Sequence, residues 1–296
     1  MDGRRGEAFG ADREGQKSVW SFFDAYKHSG QGRAVARPDS HSFRHVTGES
    51  RHRDDAFLSG KMAKHDLVEQ NAEGPDAFAF ENFLTTEASK NHWFGGELSP
   101  TTEYDDWVSG ADAIVEWPAA DGGSPLRLAV DFTSTAKFET IYKKTDKLEG
   151  NVTVKYLRSG VETEEGRPKE LRSSMPIVLL GVDKDVFREI AERGEPIGPN
   201  HPFRLLLLEQ ASAQIDYQLD ALRETLAQTR MAKQGKSLEQ VLGLVKAKTR
   251  ERFRDLERLK VRVGEELSEA RSSVVLDERW ERVINASKTH SIFSGR

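Results

Sequence analysis

The sequence predicts an α/β fold with a central mixed sheet flanked by helices and followed by a C-terminal helical hairpin. Two apolar runs, AIVEW at 113–117 and LRLAV at 126–130, flank a turn rich in proline and glycine, which is typical of a β-hairpin. A third run, MPIVLLGVD at 175–183, has the length and apolarity of a buried strand. From residue 202 onward, apolar residues recur at helical spacing, which predicts two long amphipathic helices.

The composition limits the class of protein. Its 296 residues suffice for one large domain or two small ones. It contains no cysteine, which excludes disulfides, thiolate metal sites and a cysteine nucleophile. No apolar run approaches the roughly 20 residues of a membrane span. The first residues also lack the apolar stretch of a signal peptide. We therefore expect a cytoplasmic protein with no membrane partner.

Charge is unevenly distributed along the chain. The net charge is −5, with acids in excess over residues 76–199 and bases in excess over residues 200–296. An acidic centre attracts cations and a basic flank attracts polyanions, which suits a metal-dependent enzyme acting on nucleic acid, although ordinary surface variation gives the same division. Three regions are expected: a polar, partly disordered segment with one short helix (1–74), an α/β core (75–199) and a helical extension (200–296).

The N-terminal region shows little apolar periodicity. Residues 17–27 predict the short helix, with Trp20 and Phe23 on its apolar face. Residues 28–53 are rich in Gly, Ser, His and Arg and predict a loop. We interpret the histidines there as loop residues rather than metal ligands.

The predicted core begins with a helix over residues 75–92. Phe80 and Phe83 belong to its apolar stripe, and Glu81 lies at the edge of that stripe. An acid at the edge of an apolar stripe can face a binding site beside the helix while the stripe itself packs against the core. Glu87 is the competing acid on the same helix.

Two acids stand at one end of the predicted hairpin. Asp112 opens the first run and Asp131 closes the second, so antiparallel pairing would bring both carboxylates to the same end. Carboxylate oxygens are the ligands that Mg²⁺ prefers, which makes this end a candidate cation site. Residues 93–109 predict an irregular strand and a loop, and we interpret Asp105 and Asp106 as loop acids.

The chain beyond the hairpin alternates between helical and strand patterns. Residues 132–148 have helical spacing, and this helix carries Lys137. The remaining core elements are predicted as a strand at 151–157, a loop at 159–174, a strand at 175–183 and a helix at 184–194.

The C-terminal helices are predicted at 203–231 and 237–267, with a third at 274–284. Their apolar stripes would form core or the seam of a homodimer. One face of the second helix carries a basic ridge, defined by Lys246, Arg250, Arg254, Arg258 and Arg262. Such a ridge could bind nucleic-acid phosphates, with affinity that falls steeply with salt. Acids alternate with these bases, so a solvated, salt-bridged face is the alternative.

This order of elements and acids resembles the PD-(D/E)xK nuclease superfamily over about residues 76–193. The resemblance implies a restriction-endonuclease-like core that hydrolyses phosphodiesters, in DNA rather than RNA. It implies that Glu81, Asp112 and Asp131 hold Mg²⁺ or Mn²⁺, which would polarise a phosphoryl oxygen and activate a water. A nearby lysine would assist that water.

Two positions depart from the family pattern. Ala111 stands where the motif has proline, and Thr133 stands where it has lysine. Lys137 is the nearest replacement amine, followed by Lys143 and Lys144. If no lysine reaches the metal, the alternative is a catalytically inactive nuclease-fold module that binds nucleic acid or protein through its C-terminal helices.

Overall fold

The computed structural model describes residues 36–69, 74–119, 124–133, 146–164, 167–182, 184–193, 197–232 and 247–289. Several predictions fall outside these ranges and have no structural counterpart here. They concern the short helix at 17–27, residues 134–145 of the helix predicted at 132–148, and the positions of Lys137, Lys143, Lys144 and Lys246.

The described chain contains helices and strands in mixed order. The helices are α1 (Gly48–Glu69), α2 (Gly74–Lys90), α3 (Glu103–Ser109), α4 (Lys184–Arg193), α5 (Pro202–Ala232), α6 (Ala247–Ser273) and α7 (Glu278–Thr289). The strands are β1 (Glu97–Pro100), β2 (Ala113–Trp117), β3 (Leu126–Thr133), β4 (Asn151–Glu164) and β5 (Arg167–Gly181). None of the described helices is long and apolar enough to cross a membrane.

The five strands form one mixed sheet in the order β1-β2-β3-β5-β4. Strands β2 and β3 pair antiparallel, which confirms the predicted hairpin, and β3 and β5 pair parallel. The predicted α/β class with a mixed sheet and flanking helices is therefore confirmed.

The hairpin is buried on both faces, as its nearly continuous apolar runs predict. Val115 and Trp117 of β2 face the large core that α2, α5 and α6 also line. Ile114 of β2 and Ala129 of β3 face a second cluster, which β4 and β5 complete. Both sides of the hairpin are thus fixed, which holds its ends in place.

Side-chain contacts curl the sheet so that β4 reaches back to β2. The buried Glu116 carboxylate accepts hydrogen bonds from Ser159 Oγ (2.9 Å) and the Gly160 N–H (2.8 Å). Arg127 on β3 donates to the same carboxylate through Nε at 2.8 Å. Since β2 and β4 are not neighbours in the strand order, these bonds require a curled sheet.

A ladder of glutamines covers the part of β5 that β4 leaves unpaired. Pairing with β4 ends at Pro176, so the backbone beyond it faces α5 instead. Gln214 accepts from the Leu179 N–H at 2.7 Å and donates to the Leu179 carbonyl at 2.5 Å. Gln210 makes the same pair with Gly181, and Gln218 donates to Ile177. Glutamine side chains one helical turn apart thus form hydrogen bonds with the backbone groups of alternate residues along a strand edge.

Replacing Gln214 with leucine is expected to lower the free energy of unfolding by about 2 kcal/mol, because the Leu179 N–H and carbonyl lose their partner inside the protein. Urea denaturation measures the loss. The exposed Gln228 on the same helix is the matched control, and Gln228→Leu should change stability by less than about 0.5 kcal/mol. Equal effects of the two substitutions would rule out the ladder as a stabilising feature.

The two long C-terminal helices pack against each other in opposite directions. Arg252 contacts Gln218, whereas Arg271, further along α6, contacts Glu209, which comes earlier on α5. Apolar residues of both helices join the large core beneath the sheet. The helices and the sheet therefore share one hydrophobic cluster.

Three local predictions were wrong. Residues 48–53 lie in helix α1 rather than in a loop, and residues 103–109 form helix α3. Residues 159–174 were predicted as a loop, but residues 159–164 and 167–174 form the long ends of β4 and β5. This two-stranded ribbon is polar, and ion pairs stabilise it: Arg127 binds Glu162 at 2.7 Å and Arg158 binds Glu170 at 3.1 Å. Its sequence therefore carries no apolar pattern that would predict strands.

Candidate metal centre

Helix α3 is fixed in place by its first turn. Thr102 caps the helix by accepting from the Asp105 N–H at 3.2 Å, and Gly110 ends it with a left-handed backbone at φ 64°. The buried Asp105 carboxylate accepts the N–H groups of Lys155 (2.7 Å) and Tyr156 (2.9 Å). Those two residues form a bulge where β4 slips its register against β5. Burial raises the pKa of Asp105, and the hydrogen bonds from β4 oppose that rise.

The same bulge is tied to the N-terminal part of the described chain. Lys155 Nζ and Tyr156 Oη both donate to Asp54 on α1, and Lys155 also donates to Ser50 Oγ at 2.8 Å. Phe43 packs edge-on against the Tyr156 ring, with ring centres 5.5 Å apart. Helix α3, β4 and the segment before α1 therefore form one connected support.

The backbone of β3 holds Asp112 at the end of the hairpin. Its N–H donates to the Val130 carbonyl at 2.8 Å, and its own carbonyl accepts the Thr101 N–H at 2.9 Å. The Phe132 N–H donates to Asp112 Oδ2 at 2.6 Å. The buried carboxylate is thus aimed across the hairpin toward the end of β3.

Three carboxylates from separate elements meet beside this end. Glu81 comes from α2, Asp106 from α3 and Asp112 from the residue before β2. One ligand oxygen from each lies within 4.8 Å of the other two. We call these residues the acidic trio. Among the described residues, no other group of three or more acids and histidines meets this spacing.

The acidic trio already contacts one cation, the Arg37 guanidinium. Arg37 Nη1 donates to Asp106 Oδ2 at 2.8 Å, and Nη2 is paired with Glu81 Oε1. About a fifth of the Arg37 side chain is exposed, at 19%. Three carboxylates at this spacing repel one another, so a positive group between them is electrostatically favourable.

The donor set suits a divalent cation. Oxygen ligands on opposite sides of one Mg²⁺ lie about 4 Å apart, and those of Ca²⁺ about 5 Å apart, which is twice the metal–oxygen distance. The oxygen–oxygen distances within the acidic trio are at most 4.8 Å, which is within the limit for Ca²⁺. All three ligands are carboxylates, which are hard oxygen donors, so Mg²⁺, Mn²⁺ and Ca²⁺ fit better than metals that prefer sulfur or imidazole.

The acids proposed from sequence have different positions around the acidic trio. Asp112 and Glu81 belong to it, whereas Asp131 is buried on β3, opposite Leu179 of β5, and is not one of the three. Glu87 is buried elsewhere on α2, where its carboxylate accepts from Asn91 Nδ2 at 2.8 Å. Burial raises the pKa of Glu87.

Thr133 ends β3 at the position where the family pattern has lysine. It lies opposite Gly181, and a Cβ on that glycine would come within 1.9 Å of the Thr133 carbonyl oxygen. The backbones of β3 and β5 are therefore closely packed here. Lys137, the proposed replacement amine, lies outside the described residues.

The described part of the basic ridge is only partly available to a ligand. Arg254 and Arg258 are exposed and Arg250 is half-buried. Arg262 binds Glu265 at 3.0 Å and Glu266 at 3.3 Å. The basic ridge is therefore a salt-bridged surface at Arg262, whereas the exposed Arg254 and Arg258 can contact polyanions.

Sequence reasoning missed two residues of the site, Asp106 and Arg37. A signal for Asp106 is present, since Thr102 and Asp105 have the spacing of a helix-capping pair and Gly110 follows as a stop. That pattern predicts a helix and so places Asp106 in its first turn. Arg37 lies in a polar segment with no comparable signal, because its partners are distant in sequence.

Comparisons with protein-family models, with curated proteins and with solved structures find no match to this chain.

Proposed function

We propose that this protein is a divalent-metal-dependent phosphodiesterase with a restriction-endonuclease-like core, acting on DNA rather than RNA. The observation that carries the proposal is the acidic trio at the end of the β2–β3 hairpin. Three carboxylates from α2, α3 and the start of β2 converge there within 4.8 Å. A hard divalent cation is bound by carboxylate oxygens together with waters and substrate phosphates, and the acidic trio supplies such oxygens from three elements.

The order of elements supports the proposal. A helix carrying Glu81 precedes the strands, Asp112 stands at the start of the second strand, and Asp131 lies near the end of the third. This is the arrangement of acids that the resemblance to the PD-(D/E)xK superfamily implies. In the proposal, Asp106 joins Glu81 and Asp112 as a ligand, and Asp131, buried near the end of β3, is a further candidate acid.

The roles of the protein groups follow from their contacts. A bound Mg²⁺ or Mn²⁺ would polarise the phosphate and lower the pKa of a water. The Phe132 N–H orients the Asp112 carboxylate, and the Asp105 contacts with β4 hold α3 so that Asp106 faces the same point. Lys137 is the proposed amine beside the attacking water. The antiparallel C-terminal helices, as a helical hairpin, would carry Arg250, Arg254 and Arg258 to the phosphate backbone.

A second candidate function is a catalytically inactive nuclease-fold module that binds nucleic acid or protein. Two observations favour it: Thr133 replaces the expected lysine, and the Arg37 guanidinium lies between two of the acids. An internal cation of this kind could serve structure alone. The C-terminal helices would then provide the interaction surface or a homodimer seam.

A cleavage assay separates the two candidates. Purified protein is incubated with single- and double-stranded DNA and RNA in Mg²⁺, Mn²⁺ or EDTA. The first candidate predicts cleavage of DNA with either metal and none with EDTA. Binding of nucleic acid without cleavage under any of these conditions would favour the inactive module.

A further inference from the structure

We infer that Arg37 is an internal competitor for the metal, so that a divalent cation binds the acidic trio only when the Arg37 guanidinium withdraws. This inference rests on the proposed function, because it concerns the same carboxylates. It adds a control element that the resemblance does not imply.

Arg37 is hydrogen-bonded to two of the three carboxylates that would hold a metal. Its two guanidinium nitrogens contact Asp106 Oδ2 and Glu81 Oε1, one on each side of the acidic trio. The guanidinium fork is suited to bridging two carboxylates. A cation ligated by the same oxygens cannot coexist with these hydrogen bonds, so the two ligands are mutually exclusive at these atoms.

The charges of the site explain why Arg37 and a divalent cation compete for the acidic trio. With Arg37 in place, the three carboxylates and one guanidinium carry a formal charge of −2, if all are ionised. A divalent cation neutralises more of the acidic charge than a guanidinium does. Arg37, in contrast, is attached to the chain and therefore loses little translational entropy when it binds. Removal of Arg37 therefore leaves a more negative site with no competitor, and metal affinity rises.

The chain around Arg37 allows it to withdraw without unfolding the core. Residues 36–39 have no helix or strand, and the next fixed point is a short 3-10 turn at Ser40–Ser42. Phe43 and Val46 are buried against Tyr156 and anchor the segment beyond that turn. Arg37 can therefore leave the carboxylates while Phe43 and Val46 stay packed.

The test compares Mn²⁺ binding to the full-length wild-type protein and to Arg37→Gln by calorimetric titration. We expect Arg37→Gln to bind Mn²⁺ about tenfold more tightly, within the range typical of energetically coupled ligands. Arg53→Gln is the matched control, because it removes the same charge from a 73% exposed side chain on α1. It should leave Mn²⁺ affinity unchanged. Arg37→Lys keeps the charge but loses the fork, so its affinity should be intermediate.

A second measurement detects the withdrawal itself. The Ser42 N–H donates to the Asp39 carbonyl at 3.0 Å, so saturating Mn²⁺ should speed hydrogen exchange of the Ser42 amide in the wild-type protein. The Arg44 amide, which donates to Glu170, should stay protected. Equal Mn²⁺ affinities for wild type and Arg37→Gln would overturn the inference, whether or not either protein cleaves DNA. Tighter binding without metal-dependent cleavage would support the inference and contradict the proposed enzyme.

Discussion

Asp112→Asn is expected to lower the rate of metal-dependent DNA cleavage by about 100-fold. Loss of a residue that only hydrogen-bonds to a metal ligand already lowers activity by about 10- to 100-fold, so loss of a ligand itself should reach the upper end of that range. The amide keeps an oxygen that can accept the Phe132 N–H, so the hairpin end should stay folded. It removes the negative charge that would bind the cation. Cleavage rates over a range of Mg²⁺ concentrations measure the effect, and part of the loss should be recovered at high Mg²⁺.

The matched control for Asp112→Asn is Asp220→Asn. The Asp220 side chain is 75% exposed on α5 and pairs with Arg223, outside the acidic trio. The control should cleave at the wild-type rate. If Asp112→Asn also cleaves at that rate while remaining folded, Asp112 is not a metal ligand and the proposed site is wrong.

Arg204→Met is expected to lower the free energy of unfolding by about 3 kcal/mol, because removing one member of a buried ion pair leaves the other desolvated and poorly paired. Arg204 is buried, with a side chain 6% exposed, and its Nη2 binds Glu266 at 3.2 Å and Glu269 at 3.0 Å. Its Nε donates to the Trp93 carbonyl at 3.1 Å. One side chain thus joins α5, α6 and the chain that follows α2.

Urea denaturation of Arg204→Met, of Glu266→Met and of the double variant Arg204→Met/Glu266→Met tests this role. The double variant should lose less stability than the sum of the two single variants, because it removes both charges of the pair. Arg223→Met, on an exposed arginine of the same helix, should change stability by less than about 0.5 kcal/mol. A loss below about 1 kcal/mol for Arg204→Met would show that this pair does not hold the helices together.

Local patterns predicted the elements that bury continuous apolar runs. The β2–β3 hairpin and about the last half of β5 are of this kind, since their own residues supply the driving force. Helices α4 and α5 were predicted from their periodic apolar stripes. The outer ends of β4 and β5 were missed because their sequence is polar. Their strand conformation depends on partners such as Arg127 and Glu162, which lie 35 positions apart. No window of local sequence contains that information.

The residues of the candidate site likewise fall into two groups, those that local sequence predicts and those that only tertiary contacts bring together. Asp112 and Glu81 could be proposed because acids at strand ends and stripe edges stand out against an apolar pattern. Asp106 enters the site only because Asp105 anchors α3 to the bulge of β4, about 50 positions away. Arg37 enters because the Phe43 anchor brings its segment beside α2 and α3. Such long-range placements follow from the tertiary fold.

The most direct test of the central claim is Mn²⁺ binding measured by electron paramagnetic resonance on the wild-type protein, Asp106→Asn, Asp112→Asn and Asp220→Asn. If the acidic trio holds a divalent cation, the wild-type protein and Asp220→Asn will show one saturable site of equal affinity. Asp106→Asn and Asp112→Asn will each bind at least about tenfold more weakly. Equal Mn²⁺ affinity in all four proteins would contradict the account.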